Sequence, residues 1–181
     1  MTRGMSMFTG LKIRLTAMRK EDLPTYRQWN SVESFGRFYN SSPIREESEK
    51  NANQLIDDHS DRNYRFSIRP IKSEDFLGVC AIEEIAWSHR VAWISIALGP
   101  NFHGQGFGKE AMQLLVNYGF NELNLHRLSL TVFSYNQSAI SLYESLGFKH
   151  EGTYREFLQR DGKRHDMHLY GLLATDVKPL K

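Results

Sequence analysis

Pro100-Asn101-Phe102-His103-Gly104-Gln105-Gly106-Phe107-Gly108-Lys109-Glu110-Ala111 is the stretch whose reading decides the fold. The apolar run Val91 to Leu98 leads into it, and an amphipathic helical pattern leaves it. A strand, a glycine-rich turn and a helix start in direct succession make an anion cradle. Glycine lacks a Cβ, so its backbone can turn tightly at positive φ and approach a ligand closely. The first helical turn adds unpaired N–H groups and the positive end of the helix dipole. A plain surface turn would carry the same glycines, so the segment needs its context. It is not a P-loop, because no Gly-Lys-Ser/Thr closes it. Nor is it a dinucleotide fingerprint: Gly104, Gly106 and Gly108 are spaced Gly-x-Gly-x-Gly, and several strands precede them.

The context lies downstream. Leu128, Leu130 and Val132 alternate with Ser129 and Thr131, the pattern of a strand with one buried face. Asn136-Gln137-Ser138-Ala139-Ile140-Ser141-Leu142-Tyr143-Glu144-Ser145-Leu146-Gly147-Phe148 follows. Asn136 suits an N-cap, Ala139, Leu142, Tyr143 and Leu146 form one helical stripe, and Gly147 suits the stop. His103-x-x-Gly106-x-Gly108 paired with Asn136-x-Ser138-Ala139…Leu142-Tyr143-Glu144-x-Leu146-Gly147-Phe148 resembles the GCN5-related N-acetyltransferase family. Arg155-Glu156 and Arg160-Asp161-Gly162-Lys163 resemble its branch that acetylates ribosomal-protein N-termini and polyamines. The likeness runs from about Leu11 to Leu173.

The resemblance implies acetyl-coenzyme A as donor. Its diphosphate would sit on the cradle of His103, Gly104, Gln105, Gly106, Phe107, Gly108 and Lys109. Its pantetheine arm would bond to backbone near Ile96, Ala97 and Leu98, where the family's fourth strand splays from its fifth. A backbone N–H there could also stabilise the oxyanion. Asn136, with Ser138 beside it in the motif, would cap its helix and contact the pantetheine. Tyr143 matches the tyrosine that faces the thioester sulfur and protonates the departing thiolate. A phenol near 10 is a weaker acid than a thiol near 8.5, so hydrogen bonding could be the larger part of its effect. His103 stands where the family usually has Arg or Gln, and a solvated turn residue is its plainer reading. Lys109 reads equally as a solvated helix residue.

The general base is less direct. Ala92-Trp93-Ile94-Ser95 lacks the glutamate that many relatives carry there. Glu83 and Glu84 are the nearest carboxylates and point to opposite faces of a strand, so one at most enters the cleft. Glu84-Ile85…His89-Arg90 resembles the polyamine enzymes, which selects Glu84; a water chain to bulk solvent is the alternative.

Composition bounds the rest. The 181 residues suffice for one domain with a substantial core, and 40% hydrophobic and 12% aromatic content is that of a globular protein. A net charge of +2 argues for neither nucleic acid nor a membrane surface as partner. No apolar stretch approaches the ~20 residues of a membrane span. The opening residues lack the apolar core of a secretory signal, so a cytoplasmic location is expected. Cys80, the only cysteine, lies in an apolar stretch and reads as a buried strand residue, which leaves no disulfide framework and no thiolate metal site. No His-Glu-x-x-His pattern is present, and His165 and His168, three apart on a strand, face opposite ways; no metal is expected.

The spacing predicts strands over Lys12–Met18, Asn63–Arg69, Phe76–Ile85 and Val91–Leu98, with polar turns between the last three that favour an antiparallel meander. Helices are predicted over Lys20–Asn30, over Pro43–His59 with Ser42 as cap, and over Gly106–Leu123. Two final strands join through Asp161-Gly162, a strong hairpin signal. The fold class is α/β: a single-domain, mixed, mostly antiparallel sheet with helices on both faces. The domain spans 11–175, between a flexible tail over 1–10 and a short tail over 176–181. The activity expected is acetyl transfer to a primary amine by direct attack in a ternary complex. Trp93 in place of a glutamate offers an apolar wall and weakens the deprotonating apparatus. That favours a protein N-terminal α-amine or an amino acid as acceptor, since α-amines sit near 7.7–8.0 and polyamine-type amines near 10.4. A polyamine acetyltransferase, or a non-catalytic acyl-coenzyme-A-binding module, are the alternatives. A homodimer is a possible assembly by the same resemblance.

Overall fold

Seven strands join in the order β1-β2-β3-β4-β5-β7-β6 in the computed structural model, which describes residues 6–44, 46, 48–57 and 60–177. β2 (Tyr64–Pro70), β3 (Gly78–Ala86) and β4 (Val91–Leu98) form the antiparallel meander that the polar turns predict, and β1 (Ile13–Thr16) adds antiparallel to the outer edge of β2. β5 (Arg127–Phe133) runs parallel to β4, because the cradle helix lies between them as a crossover. β6 (Lys149–Arg160) and β7 (Lys163–Leu173) close the chain as a hairpin, with β7 lying between β5 and β6. At its tip Asp161 (φ 49°) and Gly162 (φ 74°) are both left-handed, the geometry an Asp-Gly hairpin turn supplies.

The alternation of β2, β3 and β4 separates two faces. On one, Ile68, Cys80, Ile82 and Ile94 are buried with Ala111, Met112, Leu114 and Leu115 of α4 (Phe107–Asn117). The other carries Arg65, Ser67, Arg69, Glu83 and Ser95 and faces α1 (Leu23–Asn30) and α2 (Glu33–Tyr39). There Arg69 holds Asp22 through Nη2, 2.6 and 2.7 Å from its two carboxylate oxygens. Ser67 donates to the same carboxylate, and Arg69 Nε donates to Thr16 Oγ1. With both charges buried, these added bonds are what make the pair tolerable.

Several boundaries differ from the sequence reading. The helix expected from Lys20 is a 3₁₀ turn over Lys20–Asp22 followed by α1, with Pro24 in the first turn. Asp22 turns its side chain to Arg69 and to the N–H of Arg19 at this joint. α2 was not anticipated at all. The helix expected over Pro43–His59 begins only at Glu49 and is described to Asp57, as α3; Pro43, Ile44, Glu46 and Ser48 precede it. Residues 45, 47, 58 and 59 lie outside the described residues. Ser42 does not cap α3, which begins only at Glu49; its N–H bonds to Asn40 Oδ1 and its carbonyl accepts from Arg160 of β6. The cradle helix keeps α-geometry only to Asn117 and ends in a wide π-turn, Tyr118–Glu122. Tyr118 there packs on Phe8, Tyr64 and Phe66. The Phe8 ring lies 5.4 Å from that of Phe66, and Leu15 N–H bonds to the Phe8 carbonyl, so residues 6–10 belong to the packed domain rather than to a tail. Residues 1–5 and 178–181 of the expected tails lie outside the described residues. No described helix is long and apolar enough to cross a membrane.

α5 (Gln137–Ser145) starts at its expected cap: Asn136 Oδ1 accepts from Ala139 N–H. Gly147 (φ 93°) ends it in the left-handed conformation that glycine adopts freely.

Candidate active site

The cradle is built from backbone. Gly104 (φ 74°) and Gly106 (φ 85°) are left-handed, and Gly106 is the residue from which α4 starts. A Cβ at Gly104 would meet nothing within 4 Å, so this glycine serves the turn. Gly108 serves packing: a Cβ there would come 3.3 Å from Leu98 Cδ1 and 3.7 Å from Leu142 Cδ2, where α4, β4 and α5 meet. Phe107 is half-buried against the core. Gln105 is exposed and its amide donates to the Asn101 carbonyl. The His103 ring lies 3.1 Å from the Leu98 carbonyl, and Lys109 is exposed on the first turn of α4. A cation not anticipated from the motif is also present. Lys12 Nζ donates to the Gln105 carbonyl at 3.1 Å and would lie 3.5 Å from a Cβ on Gly106.

Beside the cradle the sheet opens. β4 pairs with β5 only over Val91–Arg127, Ala92–Leu128 and Trp93–Ser129. From Ile94 onward the strands part, so Ile96, Ala97 and Leu98 carry backbone groups on this side without a ladder partner in β5. The slot has Asn136, Ser138 and Tyr143 of α5 as its helical counterpart in the expected site. Asn136 Oδ1 accepts from Ala139 N–H at 3.3 Å and from Ser138 Oγ at 3.1 Å. The cap therefore uses the carbonyl oxygen and not the amide N–H groups. Tyr143 is 7% exposed, with its ring 6.0 Å from that of Phe148. Burial pushes its phenol up to about 12.

The carboxylate beside the slot is Glu83. Its Oε1 accepts from Arg65 Nε at 3.0 Å and Nη2 at 2.9 Å, and its Oε2 accepts from Ser95 Oγ at 3.2 Å. Glu83 lies opposite Trp93 in the β3–β4 register. A cavity of about 80 Å³ is lined by Tyr26, Tyr39, Arg65, Ala81 and Glu83. Burial, then the neighbouring Tyr26 and Glu83, pushes the Tyr39 phenol well above its ordinary value. Glu84 shares none of this. It is exposed at φ 53° in the bulge where the register shifts between Glu83 and Ala86, and its N–H bonds to Asn63 Oδ1. Of the two carboxylates considered from sequence, the fold brings Glu83 to the cavity and leaves Glu84 outside it. The missed signal was a polar residue on the same face of three adjacent strands: Arg65, Glu83 and Ser95.

These residues fit the donor that the motifs imply. Consecutive N–H groups, a helix start and a lysine ammonium suit a diphosphate, and an unpaired strand edge suits the amides of a pantetheine arm. Among the described residues no group of three or more His, Cys, Asp or Glu is placed to hold a metal. Cys80 is buried, and desolvation raises its thiol far above the reactive range.

Comparison with known proteins agrees with this geometry. The acetyltransferase (GNAT) domain model matches residues 12–149. The chain is 32% identical over 168 residues to the uncharacterized N-acetyltransferase p20 of Bacillus licheniformis, covering 91% of this chain and 94% of that protein. It is 28% identical over 158 residues to the spermidine N(1)-acetyltransferase of Vibrio cholerae, covering 86% and 90%. The crystal structure of the Vibrio cholerae spermidine N-acetyltransferase in complex with CoA and spermine matches with a TM-score of 0.83 at 26% identity, over 91% of this chain and 96% of that one. The chain therefore belongs to the GNAT acetyltransferase family and is an acetyl-coenzyme-A-dependent N-acetyltransferase.

Proposed function

We propose that the acceptor is a small-molecule primary amine bound in the Glu83 cavity, and that a polyamine of the spermidine type is the acceptor class to test first. One observation carries the placement. Glu83, Trp93 and Ser129 stand in line across β3, β4 and β5, and the β4–β5 ladder ends at that line. An amine held at Glu83 thus sits across β4 from the slot that would hold the donor's thioester. The spermidine acetyltransferases among the relatives support the polyamine class more than the N-terminal α-amine that the sequence favours. One feature still favours the α-amine. Trp93 is 38% exposed beside Glu83 and presents an apolar wall to an arriving cation.

In this reading the N–H groups of Gln105 to Lys109 hold the diphosphate, and the free edge of β4 aligns the pantetheine arm. A β4 backbone N–H stabilises the carbonyl oxygen as it takes up charge. When bound, the donor supplies an activated acetyl thioester. Glu83 attracts the ammonium and accepts its proton, directly or through water, before the amine attacks. Tyr143 donates a hydrogen bond to the departing sulfur. Full proton transfer from a phenol at about 12 to a thiolate whose acid is near 8.5 would be uphill by about 5 kcal/mol, so donation of the hydrogen bond is the larger contribution.

The test is turnover of acetyl-coenzyme A with spermidine and with short peptides and amino acids bearing free α-amines. Spermidine is expected to lead by tenfold or more in kcat/KM. The reverse order would establish the α-amine reading, and coenzyme A binding without turnover of any amine would mark a binding module.

A further inference from the structure

We propose that Lys12, just before β1 near the start of the chain, is a diphosphate-binding residue of the coenzyme A cradle. The inference rests on the donor reading of that cradle and adds a residue that lies outside its motif. Three observations converge on it. The ammonium lies against the turn, donating to the Gln105 carbonyl at 3.1 Å and within 3.5 Å of where a Gly106 Cβ would stand. An ammonium has three N–H donors, so the bond to Gln105 leaves two for phosphate oxygens. The backbone of Lys12 is pinned as well: its N–H bonds to both carboxylate oxygens of Glu110, at 3.0 and 3.2 Å, and the N–H of Leu11 bonds to the same carboxylate. A lysine held at both ends gives up much of the rotamer entropy that a solvated one would lose on binding.

The same contacts answer an electrostatic problem. Glu110 lies in the first turn of α4, where its negative charge would repel a diphosphate at the helix start. Its carboxylate is turned to the N–H groups of Leu11 and Lys12, and the Lys12 ammonium brings a compensating charge to the ligand side. The motif's own basic groups are placed less well. The His103 ring is engaged with the Leu98 carbonyl, and Lys109 is exposed on the helix.

Calorimetric titration of wild type, K12M and K12R with coenzyme A and with 3′-dephospho-coenzyme A tests this, alongside the KM for S-acetylpantetheine, which lacks the diphosphate. K12M is expected to weaken both nucleotides about tenfold, the effect of losing one charge-assisted hydrogen bond. K12R should stay within about threefold of wild type, and the S-acetylpantetheine KM should not move. Three results would overturn the proposal: unchanged coenzyme A affinity in K12M, a loss confined to coenzyme A with 3′-dephospho-coenzyme A spared, or an equal loss for S-acetylpantetheine. The first denies the contact, the second assigns it to the 3′-phosphate, and the third makes Lys12 structural. Failure of the wild-type protein to bind either nucleotide would instead refute the donor reading itself.

Discussion

Tyr143 and Glu83 carry different burdens because their surroundings differ. Tyr143 sits in an apolar setting that holds its proton, whereas Glu83 sits among Arg65, Ser95 and the tyrosine hydroxyls. Tyr143→Phe removes one oxygen and keeps the packing. It is expected to leave coenzyme A affinity intact while lowering kcat by about 10²- to 10⁴-fold, the range for a residue acting on the leaving group. A kcat at the wild-type level would return Tyr143 to the role of a core aromatic. Its raised phenol also predicts a pH effect on stability. The unfolded chain releases this proton near pH 10, while the folded chain keeps it to about 12. Its contribution is fully present below pH 10 and is lost as pH rises through 12, about 3 kcal/mol in all. Tyr143→Phe should therefore flatten the alkaline end of a melting-temperature profile. At the carboxylates, Glu83→Gln should reduce kcat/KM for the amine more than Glu84→Gln, measured side by side.

At the scale of elements, α4 and α5 show how local conformation makes a binding surface. α5 begins where Asn136 caps it through its carbonyl oxygen, a bond that does not use its amide N–H groups. α4 begins at a left-handed glycine, which turns the chain sharply enough to aim its first N–H groups outward. Gly106→Val places a β-branched side chain at φ 85° and pushes a Cβ to 3.5 Å from Lys12 Nζ. The variant is expected to lose coenzyme A binding outright in a titration, and normal affinity would put the diphosphate elsewhere. α2 works differently, as a wall held from outside. Arg37 pairs with Asp161 at the tip of the β6–β7 hairpin, Nη1 to Oδ2 at 2.6 Å, and Tyr135 donates to the Arg37 carbonyl. Arg160 reaches the carbonyls of Asn40 and Ser42 just beyond it. The β6–β7 hairpin and Tyr135 thus hold the end of α2, where Tyr39 lines the Glu83 cavity.

For the whole molecule, the slot beside β4 and the Glu83 cavity, lined from β2 and β3, belong to one continuous sheet, so ligand binding is expected to bear on the fold as a unit. Coenzyme A is expected to stabilise the protein by about 2.7 kcal/mol when present at a hundredfold excess over its dissociation constant. A thermal-shift series checks this, with NAD as the comparison: it has a diphosphate but no pantetheine arm, so it should stabilise much less. Equal shifts with the two ligands would remove the β4 slot from the binding account.

The N-cap at Asn136, the left-handed glycines of the cradle, the Asp-Gly hairpin and the alternation of β5 were all legible in the amino-acid order. Each follows from torsional preference or a side-chain bond within a few residues, which nearby sequence determines by itself. The features that needed tertiary structure depend on groups far apart in the chain. A bulge with Glu84 at φ 53° broke the alternation of β3, and only the pairing with β4 shows that Glu83 faces the cavity. Ser42 is no cap because α3 begins only at Glu49, and its carbonyl instead accepts from Arg160, 118 residues away. Lys12 reaches the cradle across 93 residues, through a contact that no local pattern encodes. Local preference therefore shaped the binding turns, while long-range hydrogen bonding and register decided which charged side chains meet there.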